Sequence, residues 1–337
     1  MSVGRLVPRD SDEYRWVQNV VRSVETLTGR PTRWTGDLYE ETEPDVAGSV
    51  LDDGAMTLSR QLVLQPAVRA YTAGRPLTPT ELIDTRDAVL TAVHEAKHLT
   101  NALGDEAAPG ATPVYAPDTL ALEEGLTESW AHQNVDDVIR DVGLDRAQPE
   151  LRGLDSADAY PAYTAATGEL VRGVADVAGL SPAQVRDGMD QADRAQRWSA
   201  IADLVIDQRL ADVLPDEDRS AVRTQLIRTM RPHLAVAAAA QVSDQLTAAA
   251  KANSGRQAAG RAVIDLSTTT AGLEDQYRNA VLEQPSQAAE VDHLRKFLGE
   301  STPRTSTYRG SDLASAVPSN VRRLSHRREQ GPDQGRE

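Results

Sequence analysis

No cysteine occurs in the 337 residues. That excludes disulfide frameworks, iron–sulfur clusters, thiolate-held zinc and thiol catalysis. Aromatic residues make up 4%, with a single phenylalanine, Phe297. The interior must therefore rely on Ala, Leu and Val, which favours close-packed helices over a β-sandwich. Long apolar runs are missing too, since the longest, Leu234 to Ala240, falls far short of a bilayer span. The opening MSVGRLVPRD lacks the apolar stretch of a secretory signal. Positive charge is in deficit: 36 Lys+Arg against 51 Asp+Glu give a formal net charge of −15, and phosphate contacts need a basic face. The expectation is a cytoplasmic protein that binds neither nucleic acid nor membrane, with non-classical export as the alternative.

What is present reads as mainly α, with a small β element, an α+β arrangement. Trp16, Val17, Val20, Val21 and Val24 recur at helical spacing and predict a helix over 12–28. Residues 49–51 and 55–63 flank Asp52-Asp53-Gly54 and predict an antiparallel hairpin. Thr78-Pro79-Thr80-Glu81 is a capping box with proline at the first helical position, so a helix is expected over 79–103, with Gly104 closing it. A Pro/Gly-rich loop covers 105–117, and a further helix runs from Asp118 to Gly143. Beyond 155 the pattern is helical throughout: a start at Ser181-Pro182, then 194–213, 217–231, 233–252, 256–283 and 286–299. Three parts are expected: a core over 1–150, a helical domain over 151–300, and a disordered tail over 301–337. Local charge divides as −18 on residues 1–300 and +3 on the tail.

One constellation carries chemistry. His94-Glu95-Ala96-Lys97-His98 lies inside the capped helix. Histidines at i and i+4 sit one turn apart on one face, so both imidazoles can reach a single ion. Glu95 then lies beside a fourth position, close enough to take a proton from a metal-bound water. With 6 His and 20 Glu, a shuffled chain would contain the pattern with a probability of about 0.6%, so context has to decide. The context is an apolar flank, a preceding hairpin and a following helix that contains Leu122-Glu123-Glu124-Gly125-Leu126-Thr127-Glu128. On that helix Leu120, Ala121, Glu124, Glu128, Ala131, His132 and Val135 share a face. Glu123 points elsewhere and reads as a solvated rim residue.

Over about residues 45–140 the chain resembles the zincin metallopeptidases, and among them the gluzincins, in which H-E-x-x-H is completed by a glutamate from a later helix. The resemblance implies a minimal zincin-like core. It implies Zn2+ held by His94, His98 and Glu124, with Glu95 as general base. Glu128 would orient a ligand imidazole, and the strand around Met56–Val63 would be the edge that receives a peptide or protein substrate. Glu128 and His132 stay open as alternative ligands. His132, Tyr160 and Tyr163 are the candidates for stabilising an oxyanion. The residues allow other readings: an exposed helical face carrying a chance motif, a helical scaffold, or a zincin-like binding or regulatory protein with a structural or sensing metal and no turnover. The helical region 151–300 could cover the cleft or take a protein partner.

Overall fold

The computed structural model describes residues 4–297, without the side chains of 283–292 and 297; the expected tail over 301–337 lies outside the described residues. The chain divides into two units, Met1–Gln284 and Pro285–Glu337, and the first holds the sheet and both apolar cores. Helices account for 68% of the structure beside one three-stranded sheet, so the fold is mainly α with a small β element. None of the described helices is long and apolar enough to cross a membrane.

Helix α1 (Asp12–Thr28) starts where the Ser11 side chain accepts from the Tyr14 N–H and ends at Gly29, whose φ of 65° closes the helix in the left-handed region. The chain then forms β1 (Leu38–Glu40), β2 (Gly48–Val50) and β3 (Met56–Leu58). The expected hairpin is β2 and β3, antiparallel, with Val50 opposite Met56. Two features differ from expectation. Strand β3 is the middle strand, because β1 pairs with its other side in parallel; the edge nearest the motif helix is β2. Residues Arg60–Leu64 are no longer strand but a π-helical turn: the Ser59 side chain accepts from Leu62 N–H, and Pro66 in the first turn of α2 (Gln65–Thr72) continues the helical path. The second arm expected over 55–63 thus ends in a helix. Tyr39 and Glu40 lie in β1.

Helix α3 (Pro79–Leu99) carries the motif. Its capping box is complete, with the Thr78 side chain on the Glu81 N–H and the Glu81 side chain on the Thr78 N–H. It stops at Leu99 rather than 103: the Thr100 and Asn101 N–H groups bond three residues back, to Lys97 O and His98 O, tightening the last turn. The carbonyls of Ala102 and Leu103 go instead to the N–H groups of Arg194 and Ala195. Helix α4 (Pro117–Asp141) follows, then α5 (Leu144–Ala147), α6 (Pro161–Ala178), α7 (Pro182–Gln191), α8 (Arg197–Arg209), α9 (Arg219–Gln241) and α10 (Ala248–Phe297). A break expected at Pro232 does not occur, and α9 runs through it. Pro232 and Arg228, whose carbonyl loses its donor, lie on the exposed face, where water substitutes. His233, the first residue of the helix expected over 233–252, is accordingly mid-helix and bonded to Asp265. The helix expected over 233–252 is interrupted at 242–247, and Thr247 caps the start of α10 by accepting from Ala250 N–H. Nor does α10 break at Gly255, which instead permits close approach: a Cβ there would lie 2.1 Å from Ala162 O.

Two apolar cores form. One packs Val17, Val20 and Val24 of α1, Met56 and Leu58 of β3, and Val89 and Val93 of α3 against Val135 and Val138 of α4. The other gathers Leu122 and Leu126 of α4 with Leu170, Val174, Trp198, Ile201, Leu226 and Leu266. Helix α4 therefore serves both cores, one with each half. The acidic segment 123–128 lies where it passes between them.

Gly125 marks the closest approach of α4 to α6, since a Cβ there would lie 2.2 Å from Thr167 Oγ1 and 2.5 Å from Tyr163 O. Gly125→Ala should lower stability in urea unfolding by about 1–3 kcal/mol. Gly168→Ala faces open space and should raise stability by about 0.5–1 kcal/mol. At the α3 cap, the Arg75 guanidinium and the Thr78 N–H and hydroxyl hold the Glu81 carboxyl down at about 2. A lowered folded pKa stabilises above the ordinary carboxylate value and is lost as pH falls from there toward about 2. Glu81→Gln should flatten that part of the acid-unfolding curve.

Candidate metal centre

The five motif residues and their partners are interior, not an exposed face. His94, Glu95, Lys97, His98, Glu123 and Glu128 are each between 1% and 6% exposed. Helical geometry sets His94 and His98 one turn apart with their rings edge to face, 4.6 Å between centroids. Their Nε2 atoms converge to 3.0 Å. Glu124 Oε2 completes the group at 3.1 Å from His94 Nε2 and 3.3 Å from His98 Nε2. A tetrahedral ion about 2.0–2.1 Å from each donor would hold those donors about 3.3 Å apart, so the three atoms are spaced as metal ligands are. Two imidazoles and one carboxylate suit zinc, and other first-row divalent ions accept them as well.

Each ring is held from behind. His94 Nδ1–H donates to Glu128 Oε2 at 2.7 Å. His98 Nδ1–H donates to Glu123 Oε1 at 2.6 Å. These bonds fix the tautomers and aim both Nε2 lone pairs at the common point. Glu123 is thus a correction to the expectation from sequence: it is buried, not a solvated rim residue. It forms ion pairs with Arg197 and, at 3.0 Å, with Arg194 Nε. The reason is the place of α4 between two cores, which buries both sides of the helix, so the residue beside Glu124 also faces protein. Leu120 on one side of the helix and Leu122 and Leu126 on the other, with small residues at Ala121 and Gly125, were the available signal. Nothing in the spacing pointed to Arg194 and Arg197, which come from beyond α7.

Glu128 and His132 stand apart from the Nε2 cluster. Glu128 accepts from His94, from the Ala159 N–H at 3.0 Å and from His132 Nε2 at 3.2 Å. His132 is half-buried behind it, so it meets the far side of the His94–Glu128 bond. Tyr160 stacks on the His94 ring at 5.4 Å and 21°, and Tyr163 stacks behind Tyr160 at 5.9 Å.

Electrostatics at the centre favour added positive charge. Burial alone would lower the His94 pKa, but Glu124 and Glu128 outweigh it and raise it well above the ordinary value. Burial likewise opposes the His98 cation, and Glu124 and Glu123 overcome it. Glu124 is pulled well below the usual carboxylate range by both histidines in spite of burial, and Glu128 to about 2 by His132 and His94. Glu95 goes the other way, raised by burial. Against Glu95, Glu123, Glu124 and Glu128 stand the guanidiniums of Arg194 and Arg197. With neutral imidazoles two negative charges remain, which either two imidazolium protons or one divalent cation would balance.

Two clefts open on this point. One, of about 460 Å³, runs between β2, α3 and the 157–160 segment. The other, of about 160 Å³, is lined by Arg33, Tyr115 and Arg194 among others. Gly48, His94, Glu95 and Tyr160 line both. Gly48 is required there, because a Cβ would lie 2.8 Å from Leu58 Cδ2 and 3.1 Å from Glu95 Cγ. A larger cavity of about 490 Å³ beside Asp118 and Arg231 has no histidine in its lining.

Comparisons with protein-family models, curated proteins and solved structures return no match.

Glu123→Gln keeps the shape of the side chain but removes its charge, leaving Arg197 buried without a counter-charge. The expected result is about a 10–100-fold loss of affinity for a divalent metal, read by competition with a chromophoric chelator, together with a lowered Tm in the metal-free protein.

Proposed function

We propose that this chain is a zinc-dependent metallopeptidase of gluzincin type, hydrolysing peptide or amide bonds. The observation that carries the reading is the convergence of His94 Nε2, His98 Nε2 and Glu124 Oε2 within 3.0–3.3 Å beside Glu95. Zinc bound there would supply Lewis acidity, polarising the scissile carbonyl and acidifying water at neutral pH.

The remaining work falls to this chain's own residues. Glu95 lies against Gly48 with its Cγ facing the strand edge, and both clefts reach it. Its burial raises its pKa, the direction a general base operating near neutrality needs. In this reading it takes the proton of the attacking water and returns it to the leaving amine. Glu128 and Glu123 keep the two imidazoles in the ligating tautomer. Tyr160, stacked on His94 and lining both clefts, is the hydroxyl we assign to the developing oxyanion. Because β3 is paired on both sides, the edge that would receive an extended substrate is β2, not the strand around Met56–Val63.

Glu95→Gln should retain one zinc per chain by elemental analysis yet lose peptide hydrolysis by at least about 100-fold. His94→Ala should lose the metal itself. Full activity in Glu95→Gln would refute the mechanism. Stoichiometric zinc in a wild type that hydrolyses no peptide would favour a binding or regulatory role instead.

A further inference from the structure

The smaller cleft has a feature that metal chemistry does not use. Its wall away from the ligand triad carries two guanidiniums, Arg33 and Arg194, in a protein whose net charge is −15. Arg33 has no carboxylate within ion-pair distance among the described residues. Its side chain donates from Nη1 to the backbone carbonyl of Asp52 at 3.0 Å, and its buried Nε has no partner. Arg194 is committed on one side only: Nη2 donates to His98 O at 2.9 Å, while Nε lies 3.0 Å from Glu123 Oε1 without an aligned N–H. Glu123 already serves Arg197, so one carboxylate is shared between two guanidiniums. Burial, and after it the adjoining Arg194 cation, lower the Arg33 pKa against the opposite pull of Asp52, Tyr115 and Glu123.

The backbone fixes this arrangement. Arg33 N–H donates to Leu99 O at 2.9 Å at the end of α3. The Asp52–Gly54 turn closes against its other side, where Gly54 has φ of 89° and a Cβ would lie 2.3 Å from Arg33 O. Arg33 is thereby pinned between the motif helix and the hairpin turn. An unpaired, partly desolvated guanidinium is costly unless an anion completes it, and its fork matches a carboxylate. Strand β2 runs from the larger cleft past Glu95 into this one: Gly48 lines both, Ala47 only the larger, and Val50 only the smaller. A chain lying along β2 would bring a group beside the scissile bond to Arg33.

We infer that Arg33 and Arg194 form a carboxylate-binding subsite next to the ligand triad, so that the favoured substrate is an acidic peptide. That the peptide is cleaved rests on the metallopeptidase reading; the subsite itself does not. A dianion such as phosphate fits less well, because Asp52 and Glu124 border the same space.

The test uses the full chain loaded with zinc and short C-amidated peptides in which a single Glu or its isostere Gln is moved through successive positions. A second arm compares free-acid with amidated C-termini, which separates a side-chain from a terminal carboxylate. Binding is read by calorimetry on Glu95→Gln protein, and turnover on wild type. At one position Glu, or the free acid, should bind at least about tenfold more tightly than its neutral partner. Arg33→Met should bring that ratio near one, Arg33→Lys should keep part of it, and Arg33→Glu should turn the preference toward Lys at that position. Circular dichroism confirms that each variant is folded. Equal affinity for acidic and neutral peptides, or a ratio unmoved by Arg33→Met, overturns the subsite, even if wild type cleaves peptides well. If no peptide is cleaved but the Glu preference and its loss in Arg33→Met persist, the subsite stands and the hydrolytic reading falls.

Discussion

Two short hydrogen bonds, His94 Nδ1–H to Glu128 and His98 Nδ1–H to Glu123, govern the centre of this protein. An imidazole can ligate an ion only from a nitrogen without a proton, and these bonds keep each proton on the far side of the ring. Their acceptors, together with Glu95 and Glu124, put four carboxylates in one small interior volume, which apolar surroundings would not tolerate without compensation. The guanidiniums of Arg194 and Arg197 against Glu123 answer part of that requirement.

Helix α4 is the element that makes this placement possible. A helix on the surface of one core offers a single buried stripe, and such a stripe can place either Glu124 or Glu123 inward, not both. Because α4 packs Leu122 and Leu126 into one core and Val135 and Val138 into the other, its middle turn is enclosed all round. Adjacent glutamates can then act on different atoms: Glu124 on the two Nε2 atoms, Glu123 on His98 Nδ1. Gly125, between these roles, lets α6 approach closely enough to bring Tyr160 over the His94 ring.

How far the sequence was legible depends on the range of each signal. Helix α1 and the α3 cap were readable because their determinants are local: a Ser or Thr cap, a proline in the first turn, and apolar residues at helical spacing. The β2–β3 hairpin announced itself through Asp-Asp-Gly. Strand β1 did not, because three residues paired in parallel with a distant strand leave no local alternation. Pro232 misled because a proline on a solvated face costs one hydrogen bond, not the helix. In the candidate site, the pairing of His94 and His98 with Glu95 between them was legible from i, i+4 spacing, whereas Glu124 was singled out from Glu128 and His132 only by the resemblance of the later helix to that of the gluzincins. Glu123, Arg33, Arg194 and Arg197 were not legible, because long-range packing alone brings them there.

The link between Glu123 and Arg197 spans 74 positions of sequence. During synthesis the motif helix and α4 leave the ribosome well before α8. In that interval Glu123 lacks its neutralising partners, and a nascent chain ending in α6 cannot bury the carboxylate cheaply. Charge balance at the centre therefore waits on the synthesis of a helix that contributes no atom to the His94–His98–Glu124 cluster.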